Sequence, residues 1–113
     1  MTCLFCKIAR NEIPASIVYQ DDEVLGFNDI NPQAPLHILF IPRKHIASSN
    51  DLEGSDAELI GKLVLAAKQV VSDKGVAEDG YRLVMNCNRH GGQTVFHIHL
   101  HLLAGRQMHW PPG

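Results

Sequence analysis

Seven histidines are the compositional outlier of this 113-residue chain, and three of them stand in one short run, His97-Ile98-His99-Leu100-His101-Leu102-Leu103. On a strand, alternate residues share a face. The three imidazoles then point one way and Ile98, Leu100 and Leu102 the other. At ~3.4 Å per residue, neighbouring histidines stand ~7 Å apart and the outer two ~14 Å apart. Two can serve one small group, but a flat strand cannot bring all three to one atom, so the row divides its roles. A lone strand histidine is most often a satisfied structural residue. Three in strict alternation are harder to dismiss, because each buried imidazole needs its own hydrogen bonds. The functional readings are a metal site, since His-x-His is a common ligand pair, and nucleophilic catalysis by neutral imidazole at phosphorus.

The preceding segment favours phosphorus. Asn86, Gly91, Gly92, Gln93 and Thr94 combine an amide, a hydroxyl and a flexible backbone that can turn N–H groups toward an anion. A Gly-Gly loop alone is an ordinary turn; it gains weight beside the aligned histidines. A second cluster is Cys3-Leu4-Phe5-Cys6. By itself Cys-x-x-Cys is ambiguous between metal, redox pair and chance, and no second pair follows it. Zinc needs four ligands and accepts imidazole, so two histidines could complete the set.

Elements that position these groups can be read from patterning. Cys3 to Arg10 forms a short helix or turn. Ile17–Gln20 and Glu23–Asn28 read as strands around an Asp21-Asp22 turn. Asp29 to Pro35 is a Pro-punctuated loop. Leu36–Ile41 is a strand apolar on both faces except at His37, hence central. Ser55–Lys74 is the one long helix, with Leu59, Ile60, Leu63, Val64, Ala67, Val70 and Val71 at helical spacing. Ser55 with Glu58 suits a capping box, and Gly75 a C-terminal stop. Tyr81–Asn86 and Val95–Leu103 are the last strands, with a loop over Cys87–Thr94, and the tail from Gly105 is irregular. The sum is one α+β domain over residues 1–113: a five-stranded antiparallel sheet, one long helix and a short N-terminal helix.

Composition excludes several classes. The chain is 45% hydrophobic and 19% charged, unlike a disordered or fibrous chain. Ten Lys+Arg against twelve Asp+Glu, net −2, argue against a general nucleic-acid binder. The longest apolar run, Leu36 to Ile41, is too short for a membrane span. The N-terminus lacks the pattern of a signal peptide. Three cysteines without such a signal suggest a reducing, cytoplasmic setting.

The run His97 to Leu103 matches the pattern His-φ-His-φ-His-φ-φ, with φ apolar, and so resembles the histidine triad (HIT) family. Gly92-Gln93-Thr94-Val95-Phe96 resembles the family's lead-in. The segment Asp29 to His37 and the tail Gly105 to Gly113 resemble its nucleotide-binding Hint branch, so the likeness runs from about Phe5 to Gly113. It implies a hydrolase that cleaves the P–N bond of purine nucleoside 5′-phosphoramidates. His99 is then the nucleophile at the α-phosphorus, His101 the phosphate contact, His37 a relay to the nucleophile, and Thr94 the group near the leaving amine. Asn86 and the Gly92-Gln93 backbone hold phosphate oxygens. Asp29 binds the ribose, and Phe5, Ile8, Ile13, Phe27, Asn28, Ile30 and Leu39 form or border the base slot. Asn28 stands where animal relatives often carry His. Trp110 matches a tail residue that reaches the partner's site in dimeric relatives, which implies a homodimer.

Some bacterial members bind zinc through a set matching Cys3, Cys6, His45 and His97, which implies a structural zinc that the chemistry itself does not require. A dinucleoside polyphosphate hydrolase, a non-catalytic purine nucleotide-binding module and a small metalloprotein using the triad as its metal site are the competing readings. Outside the resemblance, Asp29 reads as a turn residue, the apolar positions as core, and Trp110 as a surface anchor.

Overall fold

The computed structural model describes residues 3–113. Five strands form one antiparallel sheet in the order β1-β2-β3-β5-β4, with β1 Ile17–Gln20, β2 Val24–Asn28, β3 Leu36–Pro42, β4 Tyr81–Val84 and β5 Leu100–Ala104. A short helix α1, Leu4–Ala9, and a 17-residue helix α2, Ala57–Asp73, complete the frame. A single helical turn, α3, spans Asn88–Gly91. The Cα radius of gyration is 13.6 Å. Among the described residues no helix is long and apolar enough to cross a membrane.

β3 sits at the centre, paired with β2 from Val24↔Pro42 to Asn28↔Ile38 and with β5 from Leu36↔Ala104 to Phe40↔Leu100. Its alternation divides the interior in two. Ile38 and Phe40, with Leu100 and Leu102 of β5, pack on Leu63, Ala66, Ala67, Val70 and Val71 of α2. Leu39 and Ile41, with Leu25 and Phe27 of β2, pack on Phe5 of α1. Gly26 belongs to this arrangement: a Cβ there would come within 2.8 Å of the Phe40 ring.

Helix α2 ends as the sequence suggests. Gly75 adopts φ +72°, and its N–H donates to Ser72 O while that of Val76 donates to Val71 O, closing the last turn. Its start differs. Ser55 and Glu58 form no capping box. Two 3-10 turns, Ser49–Asp51 and Gly54–Asp56, lead in, and Asp51 and Asp56 accept from the Ser48 and Glu53 N–H groups. The aspartates compete for these donors locally, so the helix proper begins only at Ala57.

The strand expected over Val95–Leu103 is shorter and displaced. β3 ends at Pro42, which has no N–H to continue the ladder. β5 therefore begins at Leu100, and the segment before it makes a backbone bond outside the sheet instead, Ile98 N–H to Ile46 O at 2.7 Å. Likewise β4 stops at Val84 rather than Asn86, and the loop expected over Cys87–Thr94 contains α3.

Candidate active site

The broken ladder separates the three histidines, as the spacing argument requires, but not on a flat strand. His97 lies before β5 and is fully buried. Its Nε2–H donates to the Pro42 carbonyl at 2.7 Å. A carbonyl only accepts, so Nδ1 carries the free lone pair. That atom stands 3.4 Å from Cys3 Sγ, 3.5 Å from Cys6 Sγ and 3.2 Å from His45 Nδ1. All four donor atoms lie within 4.8 Å of one another. Burial pushes the Cys6 thiol above its ordinary range and the His97 ring below its own.

His99 and His101 belong to a different site. Their ring centroids are 4.9 Å apart, closer than the ~7 Å of a flat strand, because His99 stands just outside the ladder. His99 Nδ1–H donates to the His97 carbonyl at 2.8 Å. In the neutral ring this leaves the lone pair on Nε2, which is what a nucleophile needs.

The next ring is oriented by a chain of bonds. The Gln33 N–H donates to His37 Nδ1 at 3.0 Å, which places the His37 proton on Nε2. Nε2–H then faces His101 Nδ1 at 2.9 Å, and the proton of neutral His101 is left on its own Nε2. Asp29 Oδ2 lies 3.4 Å from His37 Nε2. Burial lowers His37 below 6.5, with Asp29 pulling the other way. His101 is pushed down to about 4, by burial first and by neighbouring His99 and His37 after it. Both rings are therefore neutral at pH 7.

These groups open on a cleft of about 480 Å³ between α1 and the sheet. Of the residues singled out from the sequence, Phe5, Ile8, Phe27, Asn28, Asp29, Ile30, Leu39, Thr94, His99 and His101 line it. Val95 of the lead-in segment also lines it, as do Leu4, Pro14, Ala15 and Ser16, which were not singled out as site residues. Ser16 is tied to Asn28, whose Nδ2–H donates to Ser16 Oγ at 2.9 Å. Asp29 combines its two readings: Oδ1 accepts the Asn31 N–H at 2.8 Å as a turn residue does, while Oδ2 faces His37. The histidine face is not open, as α1 covers part of it, and His99 is only 7% exposed.

Other expected members lie elsewhere. Ile13 is half-buried and Trp110 is 84% exposed, and neither lines the cleft. Asn86, Gly92 and Gln93 do not line it either. The N–H groups of Gly92 and Gln93 donate to the Arg89 and Asn88 carbonyls, closing α3, so they are not directed at a phosphate. The Gln93 side chain is a buried clamp: Nε2 donates to Ala47 O and Val95 O, and Oε1 accepts from Asn88 N–H. It fixes the segment that carries Thr94.

A family model described as "Scavenger mRNA decapping enzyme C-term binding" matches residues 2–110. A crystal structure of a HIT family hydrolase from Legionella pneumophila is 57% identical and superposes with a TM-score of 0.97, covering 99% of this chain and 100% of that one. A histidine triad protein from Clostridium difficile is 44% identical with a TM-score of 0.93, covering 96% and 94%. The chain belongs to the histidine triad family. A purine nucleoside phosphoramidase of Escherichia coli K12 is 53% identical over 105 residues, 93% of this chain and 88% of that protein. In this chain the triad is divided: His101 on β5 and His99 just before it line the cleft, while His97 turns to the cysteines.

Proposed function

We propose that this histidine triad protein hydrolyses purine nucleoside 5′-phosphoramidates. The observation that carries the reading is the oriented ring pair at the cleft: His99 presents Nε2 as a lone pair and His101 presents Nε2–H as a donor. In the first step His99 Nε2 forms a bond to the α-phosphorus as the P–N bond to the amine breaks. His101 Nε2–H donates to a non-bridging oxygen on which charge develops. Thr94, exposed at the cleft wall, passes a proton to the departing amine. Water then attacks the nucleotidyl-histidine, and the P–N bond to His99 breaks to release the nucleoside monophosphate. His37 holds His101 in the required tautomer. Asp29 supplies the acceptor for a ribose hydroxyl, and Phe5, Phe27 and Leu39 supply an apolar wall for a flat base. The 53% identity to a named purine nucleoside phosphoramidase supports the same substrate class.

Zinc fits the second cluster. Two thiols and two imidazole nitrogens form a full tetrad of the ligand types zinc prefers. Cys3, Cys6, His45 and His97 would hold it, and a complete protein ligand set leaves no position for water, so its contribution is structural. Trp110, largely exposed and absent from its own cleft, supports a homodimer in which the tail reaches the second protomer. Three free thiols fit a cytoplasmic protein.

The test is AMP release from adenosine 5′-phosphoramidate by the wild type and by His99→Ala. Turnover in the wild type and a loss on the order of 10⁴-fold in the variant is the expected result. A wild type that binds AMP without turning over the phosphoramidate, but cleaves a dinucleoside polyphosphate, would replace the reaction while keeping the nucleophile.

A further inference from the structure

Helix α1 serves both sites at once. Cys3 and Cys6 belong to the four-donor cluster, and Phe5 between them lines the cleft. The Phe5 ring meets His99 edge-on at 5.1 Å and Phe27 at 5.4 Å on the cleft side, and His97 at 6.1 Å on the other. The nucleophile is linked to the cluster a second way, because the carbonyl that holds its Nδ1–H belongs to His97.

This helix cannot stand alone. It has six residues, and isolated helices below about 12 residues are marginal in water. No acidic residue lies in its first turn, and its N-terminal cap is the Cys3 sulfur, which accepts the Cys6 N–H at 3.4 Å. Its C-terminal end is held by Arg43 Nη1–H, which donates to the Ala9 carbonyl at 2.9 Å, and by the packing of Ile8 and Ala9. At its N-terminal end, apart from the burial of Phe5 and Cys6, the groups that fix it are the donors of the cluster. An ion that ties Cys3 and Cys6 to His45 and His97 would also fix Leu4, Phe5 and Ile8, the α1 residues that wall the cleft.

We propose that occupancy of the Cys3/Cys6/His45/His97 cluster by zinc and binding of a nucleoside 5′-monophosphate in the cleft are positively coupled, with Phe5 as the positioning residue that carries the coupling. The proposal rests on the zinc reading above. It does not require zinc to touch the nucleotide or take part in the reaction. Because coupling free energy is reciprocal, each ligand tightens the other by the same factor. Factors of roughly 5 to 150 are typical, and a single helix wall points to about tenfold.

The experiment uses the full chain under a non-thiol reductant, stripped with chelator and then either left empty or loaded with Zn²⁺. Calorimetry measures AMP affinity in both states. Competition with a chromophoric chelator measures Zn²⁺ affinity with and without saturating AMP. About tenfold tighter AMP in the loaded protein, and an equal gain in Zn²⁺ affinity with AMP present, is the expected result. Amide exchange over residues 4–9 slows on adding Zn²⁺ alone.

Phe5→Leu keeps one zinc per chain and drives the coupling factor toward one. Phe27→Leu, on the facing strand, weakens AMP alike in both metal states and leaves the factor intact. One zinc per chain with equal AMP affinity in both states overturns the coupling while sparing the zinc reading. Failure to bind zinc at one per chain removes both. Full coupling in Phe5→Leu removes Phe5 as the carrier.

Discussion

The two faces of the sheet are buried by different means. On one, Ile38, Phe40, Leu100 and Leu102 meet a 17-residue helix with its own apolar stripe, and the contact is wholly hydrophobic. On the other, the same two strands turn Leu39, His37 and His101 toward a six-residue helix that leaves a cleft of about 480 Å³. A residue step of one along β3 or β5 thus moves from packing to chemistry. The first face supplies stability and fixes register. The second can then hold imidazoles, a carboxylate and an open volume that would be costly in a core without support.

Substitutions can break this division. Phe40→Ala removes a fully buried ring from the α2 face and should cost about 3–5 kcal/mol of unfolding free energy. Denaturant midpoints would measure it. Phosphoramidase kcat at a temperature where the variant remains folded should stay near wild type. A large fall in kcat would mean that the faces are not separable.

On the other face, Asp29→Asn keeps an acceptor for the Asn31 N–H but removes the charge beside His37. We expect a loss of about 2 kcal/mol, roughly 30-fold in kcat/KM, for a ribonucleoside phosphoramidate. The 2′-deoxy analogue should lose less, and stability should hardly move. Equal losses on both sugars would assign Asp29 to orienting His37 rather than to the ribose.

The faces were also unequally legible in the sequence. Helix α2, its Gly75 stop and the central strand are local patterns, so periodicity and one left-handed residue sufficed to place them. The alternation of His99, Leu100, His101 and Leu102 predicted which side chains would part company. What escaped were features set by distant chain. Pro42 ends the β3–β5 ladder and turns His97 into the cysteine cluster, although the two residues are far apart in sequence. Gln93 looked like part of a phosphate loop and is instead a clamp on Ala47, while the Gly92 and Gln93 N–H groups close a turn. Leu4, Pro14, Ala15 and Ser16 line the cleft only because α1 folds across the sheet, and small or apolar types in a connection carry no mark of that. Family resemblance supplied the roles proposed for Asp29 and His37, which their local sequence alone would have assigned to a turn and a strand.

The smallest expected effect separates the faces by pH. Burial lowers His101 to about 4 and holds His37 below its ordinary 6.5. In the unfolded chain both return to about 6.5. Between about pH 4 and 6.5 the unfolded state therefore binds more protons than the folded one, so unfolding free energy rises with pH across that window and levels off above it. One such group can give a slope of at most about 1.4 kcal/mol per pH unit, and the part-exposed His101 should give about 1. Urea midpoints from pH 4.5 to 7.5 would trace the curve. His101→Gln should flatten it, while Phe40→Ala should lower it without tilting it, since Tyr19, the titratable group beside that ring, is held above its ordinary range by its bond to Asp21 and does not ionise in this window. An unchanged slope in His101→Gln would move the pH sensitivity to His37, and an unchanged slope in a His37→Gln/His101→Gln pair would move it from the cleft to the Cys3/Cys6/His45/His97 cluster, whose donors must also shed protons to bind an ion. The two halves of the histidine face would then differ in kind, with only the metal half contributing to the pH dependence of stability.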